Sequence, residues 1–178
     1  MKNFIPHWGK TVRGLMAIVT VCMFVGLASI PAWADSPHYL RAAVSLDSDT
    51  ACYSVTIKEA GLGNSGFSEL TYSLTCDAQF TVACVTGNKK KHVVQGQPKS
   101  GETELTGQTT LPITNGQTNG TISLCPAAED LPDPGCTGNQ IEVILAASYS
   151  NCELDDSLGT ASPTLGNRSA GSLFVVVE

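Results

Sequence analysis

The sequence predicts an all-β fold, an antiparallel β-sandwich. Three observations carry that expectation. Apolar residues recur at every second position in one segment after another. Gly, Asn and Pro punctuate the gaps between those segments at short intervals. After Ala34, no segment sustains the 3.6-residue apolar period of an amphipathic helix. A β-barrel is the alternative way to close the same pattern.

The first 34 residues read as a targeting segment. Lys2, Lys10 and Arg13 form a positive leader, an apolar run follows from Leu15 to about Ile30, and Ala32 and Ala34 supply the small residues of a signal-peptidase site. Cleavage is expected between Ala34 and Asp35, leaving residues 35–178 as a single secreted domain with no stable membrane insertion. An uncleaved anchor is the competing reading, but the run is near the short end for spanning a bilayer. Cys22 follows Val21, where a lipoprotein signal would require a small residue. Removal of the leader takes away both tryptophans and all three methionines. It leaves seven basic against sixteen acidic residues, a formal charge of −9. That sign argues against nucleic acid and anionic membranes as partners.

Seven strands are expected in order. The first is Leu40–Asp47. The second, Ala51–Glu59, places Tyr53, Val55 and Ile57 on one face. The third runs from Leu70 to Cys84, with Leu70, Tyr72, Leu74, Cys76, Ala78, Phe80, Val82 and Cys84 on one parity and Thr71, Ser73, Thr75, Asp77, Gln79 and Thr81 on the other. Fully extended it measures about 50 Å at about 3.3 Å per residue, so a bend or bulge is expected near Asp77-Ala78, with halves serving different sheets. Glu102–Ile113, Gly120–Pro126, Gln140–Leu154 and Ala170–Glu178 complete the set. Thr114–Gly120 carries two Asn-Gly pairs and reads as a hairpin turn. Seven short strands of this kind fit an immunoglobulin-like sandwich.

Six cysteines remain after processing: Cys52, Cys76, Cys84, Cys125, Cys136 and Cys152. An even count in an exported chain reads as three disulfides, with fifteen connectivities open. Zinc is disfavoured, because no Cys-x-x-Cys pair occurs and only His38 and His92 survive processing. Cys52 and Cys76 flank one loop, which suggests a bridge between them, although Cys52 shares parity with Ser54 and Thr56 rather than with the apolar face. For Cys84 the preferred partner is Cys136, in the Pro-rich loop that leads into the next long strand. Cys125 and Cys152 then remain as the third pair.

Several pieces together resemble a group of small exported bacterial proteins of immunoglobulin-like or β-sandwich type. They are Ile57–Gly63, with its Glu-Ala-Gly-Leu-Gly turn, Leu70–Glu102, Thr109–Leu124 and Ala147–Asp156. The resemblance covers most of residues 35–178, rests more on the order of the pieces than on any one, and implies a β-rich secreted domain with a Cys84–Cys136 bridge. It implies no activity, and it does not extend to Cys52, Cys76, Cys125 or Cys152.

No catalytic constellation emerges. A nucleophile–histidine–acid arrangement needs a positioned histidine, and His38 lies near the new N-terminus while His92 follows a lysine run in an expected loop. The acids gather in loops: Asp47 with Asp49; Glu129, Asp130 and Asp133; Glu153, Asp155 and Asp156. Two of them across one cleft would suit a small extracellular hydrolase. The Cys152–Gly159 stretch would suit a calcium-stabilised adhesion module, without the spacing of an EF-hand. Phe67, in the loop before the third strand, and Lys89, Lys90 and Lys91, the one basic run, are the candidate contact loop. The expected protein is therefore a secreted or envelope-associated, non-enzymatic binding or structural domain without a cofactor, its partner an extracellular or cell-envelope component.

Overall fold

The computed structural model describes residues 36–63, 66–88 and 91–177, with backbone only at residues 88, 91–93 and 174. The expected leader and the expected cleavage site at Ala34-Asp35, together with Lys89 and Lys90, lie outside the described residues. Seven strands form two antiparallel sheets: β1 (His38–Leu46), β2 (Tyr53–Ala60), β3 (Glu69–Asn88), β4 (Lys91–Pro112), β5 (Gln117–Leu124), β6 (Ile141–Asp156) and β7 (Arg168–Val176). One sheet has the order β1-β2-β5 and the other β4-β3-β6-β7, so both sheets have free edges and the chain forms a sandwich rather than a closed barrel.

The period-2 pattern explains the core. From β3, Leu70, Tyr72, Leu74, Cys76, Phe80 and Val82 are fully buried, and they meet Tyr53, Val55 and Ile57 of β2 and Ile122 and Leu124 of β5. Tyr149 of β6 stacks on Tyr53 at 5.2 Å and meets Phe80 edge-on at 5.9 Å. Its hydroxyl donates to the Ala51 carbonyl at 2.7 Å, which satisfies a polar atom that burial would otherwise leave unpaired. Gly107 and Gly120 let β4 and β5 close the side of the sandwich: a Cβ at Gly107 would come within 2.8 Å of Leu124 Cδ2, and one at Gly120 would overlap the Leu111 side chain.

The long third strand differs from expectation. β3 stays in one sheet along its whole length and runs on to Asn88, and β4 begins at Lys91 rather than Glu102. The mismatch of so long a strand with its neighbours is absorbed by bulges. The β3–β4 register shifts between Val82 and Cys84, and the β3–β6 register shifts at Thr75/Asp77 and Thr81/Val82. At the first β6 bulge Asn151 takes φ 49°, a conformation asparagine tolerates better than most residues.

Sheet membership also decides the disulfides. Cys84 joins Cys136, tying the end of β3 to the Pro-rich connection before β6. The expected Cys52–Cys76 and Cys125–Cys152 bridges do not form: Cys52 and Cys125, at the ends of β2 and β5, continue the outward row of Ser54 and Ser123, whereas Cys76 is buried on the inward row of β3 and Cys152 is its neighbour on β6. Cys52 pairs instead with Cys125, one step beyond the Tyr53↔Leu124 register pair of β2 and β5, at a Cα–Cα distance of 4.2 Å. Cys76 pairs with Cys152 across β3 and β6 at 4.1 Å, beside the Asn151 bulge.

Candidate functional site

Two groups of polar side chains stand out, one on the outer face of the four-stranded sheet and one inside the sandwich. The outer face follows from the second parity of β3. Asp77 lies opposite Glu104 of β4 and Ser150 of β6, and Gln79 lies opposite Glu102 and Ser148. With Asn151 these residues line a shallow depression of about 550 Å³, and among the described residues no lysine or arginine lines it. Asn151 Nδ2 donates to Asp77 Oδ2 at 2.8 Å and Gln79 Nε2 to Glu102 Oε1 at 3.1 Å, which fixes two of the three carboxylates. Hydroxyl pairs extend the polar lattice along the strands, Thr71 with Thr110 at 3.1 Å and Thr81 with Ser100 at 2.9 Å. Glu153 and Asp155 project from β6 opposite Thr75 and Ser73 on the same face. With Glu69 at the start of β3, six exposed carboxylates therefore share one sheet surface. Like charges directly opposite one another across strands cost stability, so the Asp77–Glu104 pair is a feature that folding alone does not favour.

The second group closes one end of the core. Tyr39 of β1, Glu59 of β2 and Thr118 of β5 are successive register partners and face inward side by side. The opposite sheet presents another register pair, Tyr72 and Asp156. Glu59 and Thr118 are 0% and 1% exposed and Asp156 is 9% exposed. The Tyr72 hydroxyl donates to Glu59 Oε2 at 2.6 Å, and Thr160 Oγ1 donates to Glu59 Oε1 at 3.1 Å. Asp156 Oδ2 accepts from the Tyr39 hydroxyl at 3.2 Å, while Oδ1 accepts the backbone N–H groups of Leu158 and Thr160 at 2.7 and 3.2 Å. Thr118 Oγ1 makes no hydrogen bond of good geometry among the described residues, although it lies near enough to the Tyr72 hydroxyl to lower that group's pKa. Burial is the largest influence on Glu59 and pushes its pKa up. The hydrogen bonds from Tyr72 and Thr160 and the charge of His38 oppose that, the charge of Asp156 adds to it, and the net direction is upward. Burial, followed by the neighbouring carboxylates, likewise raises the hydroxyl pKa values of Tyr39 and Tyr72.

The residues singled out in the sequence are dispersed. Phe67 is exposed just before β3, whereas Lys91 starts β4 beyond the other end of β3, so a 20-residue strand separates the halves of the expected contact loop. His38 is exposed at the start of β1, with Nδ1 2.7 Å from the Ser36 carbonyl oxygen, and the His92 side chain lies outside the described residues. The loop acids act as turn caps: Asp47 accepts the Asp49 N–H, Asp130 that of Ala127 and Asp133 that of Gly135. Strand alternation sends Glu153 and Asp155 outward and Asp156 inward. Among the described residues no three histidine, cysteine or acidic side chains converge as metal ligands. Glu59 did leave a trace in the sequence, because it shares the parity of Tyr53, Val55 and Ile57.

No protein-family model matches the chain, and no curated protein matches it. Among solved structures, the sporulation control protein Spo0M from Bacillus subtilis aligns at 17% identity over 78% of this chain and 49% of its own, with a TM-score of 0.19. The chain thus spans about half the length of that protein.

Proposed function

We propose that this protein is an exported, non-enzymatic binding domain of immunoglobulin-like type. Its contact surface is the acidic outer face of the four-stranded sheet, and its partner is a cationic extracellular or envelope component. The observation that carries this reading is the Asp77–Glu104 pair, set opposite one another with Glu102 beside them in a depression lined by hydroxyl and amide groups. A positively charged partner would relieve their repulsion and gain from the excess negative charge of the chain. Three disulfides support an oxidising compartment, and among the described residues no helix is long and apolar enough to cross a membrane. The leader supports export, and the strand orders β1-β2-β5 and β4-β3-β6-β7 support the immunoglobulin-like assignment. Hydrolysis is the weaker reading, since the carboxylates of the face are exposed and a general acid relies on burial to hold its proton.

Binding of a short oligolysine, followed by titration calorimetry at several salt concentrations, tests the proposal. Affinity should fall as salt rises. The triple variant D77N/E102Q/E104Q should lose about tenfold, since each exposed ion pair contributes about 0.2–1 kcal/mol. Binding that ignores both salt and these substitutions would refute it.

A further inference from the structure

We infer that the open edge of β7 over Leu173–Val177 is a second binding site: it takes an extended, basic segment of a partner protein as an added strand, with apolar side chains entering the sandwich and a cation at Asp49 and Glu129. β7 ends the order β4-β3-β6-β7, and among the described residues no strand pairs with its far side. The Val177 N–H donates to the Glu142 carbonyl at 3.1 Å. Alternation along an antiparallel strand therefore turns the N–H and C=O of Val176 away from β6, toward the open edge. Proteins blunt such edges with charge, proline, a bulge or a covering element, and the other three edges of the sandwich are blunted. β1 carries Arg41, and Arg168 Nη2 reaches its Val44 carbonyl at 3.5 Å. β4 carries Pro98, Lys99, Glu102 and Glu104, and β5 lies against β4 through Gly120. From Ser169 to Val177, β7 has neither a charged residue nor a proline. A bulge with Ser172 at φ 60° interrupts its first half, which leaves Leu173–Val177 as the undefended stretch.

Room for an added strand lies beside it. One depression of about 520 Å³ runs from Gly171 and Leu173 to the Ser48-Asp49 turn, and a second of about 570 Å³ continues from Asp49 to Val175, Val176 and Val177. The base of the second is the buried Ile144 with the half-buried Leu131, Val175 and Val177. Its rim carries the exposed Asp49 and Glu129, and among the described residues no lysine or arginine lines either depression. The groove is thus apolar at its base and negative at its lip. In an extended chain alternate side chains share one face, so one parity of the added strand reaches the base, and a lysine on that parity lays its stem there while its ammonium stays at the rim. Backbone hydrogen bonds supply affinity and the alternate side chains supply selectivity. Charge selects the occupant: a second copy of this acidic chain would bring further acids to an acidic rim, whereas a basic segment is drawn to it.

The probe is a short capped peptide alternating valine and lysine. Amide hydrogen exchange on residues 35–178 should show the Val176 amide slowing when the peptide is added, because it gains an acceptor. A peptide held at Asp77 and Glu104 leaves that amide unpaired, so failure of the outer-face reading and failure of this one are distinct results. Affinities are compared by titration calorimetry with D77N/E102Q/E104Q as the common background. Val176→Pro removes the edge donor at a position where a strand tolerates proline and should weaken binding about tenfold. D49N/E129Q should weaken it about fivefold. Unchanged Val176 exchange at saturating peptide, or affinity indifferent to V176P or to D49N/E129Q, would overturn the proposal. Slowing of Val176 that grows with protein concentration in the absence of peptide would also overturn it, by placing a second copy on this edge. The exchange result stands whether or not V176P folds.

Discussion

Deleting the Cys76–Cys152 bridge by the double substitution C76A/C152A should destabilise the domain by about 3.5 kcal/mol on the chain-entropy model. The bridge closes a loop with a sequence separation of 76. That loop is not the relevant one while the other bridges stand. With Cys84–Cys136 intact, the unfolded chain already connects residue 76 to residue 152 through about 25 residues, and the stabilisation follows that shorter path. The same reasoning gives Cys52–Cys125, whose shortest remaining path is about 43 residues, about 4.0 kcal/mol. C52A/C125A should therefore cost at least as much, although Cys125 is exposed and Cys76 is fully buried. Urea denaturation followed by far-UV circular dichroism is the suitable assay, since both tryptophans precede Asp35. The slope of the transition should rise as the unfolded state expands. A loss under about 1 kcal/mol for either variant would refute the reasoning, since removal of a native disulfide from a small secreted domain typically costs about 2–5 kcal/mol.

Other expectations follow from named contacts. Tyr72→Phe removes the donor to Glu59 Oε2 and should cost about 1–3 kcal/mol. The cost should grow as pH rises, since that hydrogen bond lowers the Glu59 pKa and its loss leaves an ionised, buried carboxylate short of a partner. Gly120→Ala would drive a methyl group into Leu111 and should lower stability by about 1–3 kcal/mol. Gly171→Ala, which meets nothing within 4 Å, should leave the thermal midpoint unchanged or slightly raised. The hydroxyl pKa values of Tyr39, Tyr72 and Tyr149 are all raised above 10.0, chiefly by burial. Their contribution is therefore intact below that pH and lost above it, and thermal melts should show stability falling by up to about 1.4 kcal/mol per pH unit for each tyrosine.

Seven strands and the inward set from Leu70 to Val82 were legible in the sequence, because burial on one side of a sheet imposes alternation directly. The reach of β4 was not. Gly96, with φ 78°, and Pro98 interrupt its first half and read as loop, yet an edge strand with a register shift tolerates both. The disulfides depended on which strands become neighbours, and β2–β5 and β3–β6 are not consecutive in the chain. Parity was still informative: Cys52 and Cys125 continue the outward row of Ser54 and Ser123. The acidic face was hidden for the same reason, since Asp77, Glu104 and Ser150 come from three strands whose register no local pattern specifies. The buried group was hidden differently. Glu59 and Asp156 lie on inward parities, but a carboxylate there looks out of place until Tyr39, Tyr72 and Thr160 are seen to supply its hydrogen bonds.

Mapping the contact surface on the folded domain bears most directly on the proposed function. Titration of 15N-labelled residues 35–178 with oligolysine at low salt should move the amide resonances around Asp77, Gln79, Glu102, Glu104 and Ser150, and the shifts should vanish in D77N/E102Q/E104Q. Shifts gathered instead around Phe67 or Lys89, Lys90 and Lys91, or scattered over the three-stranded sheet, would contradict it.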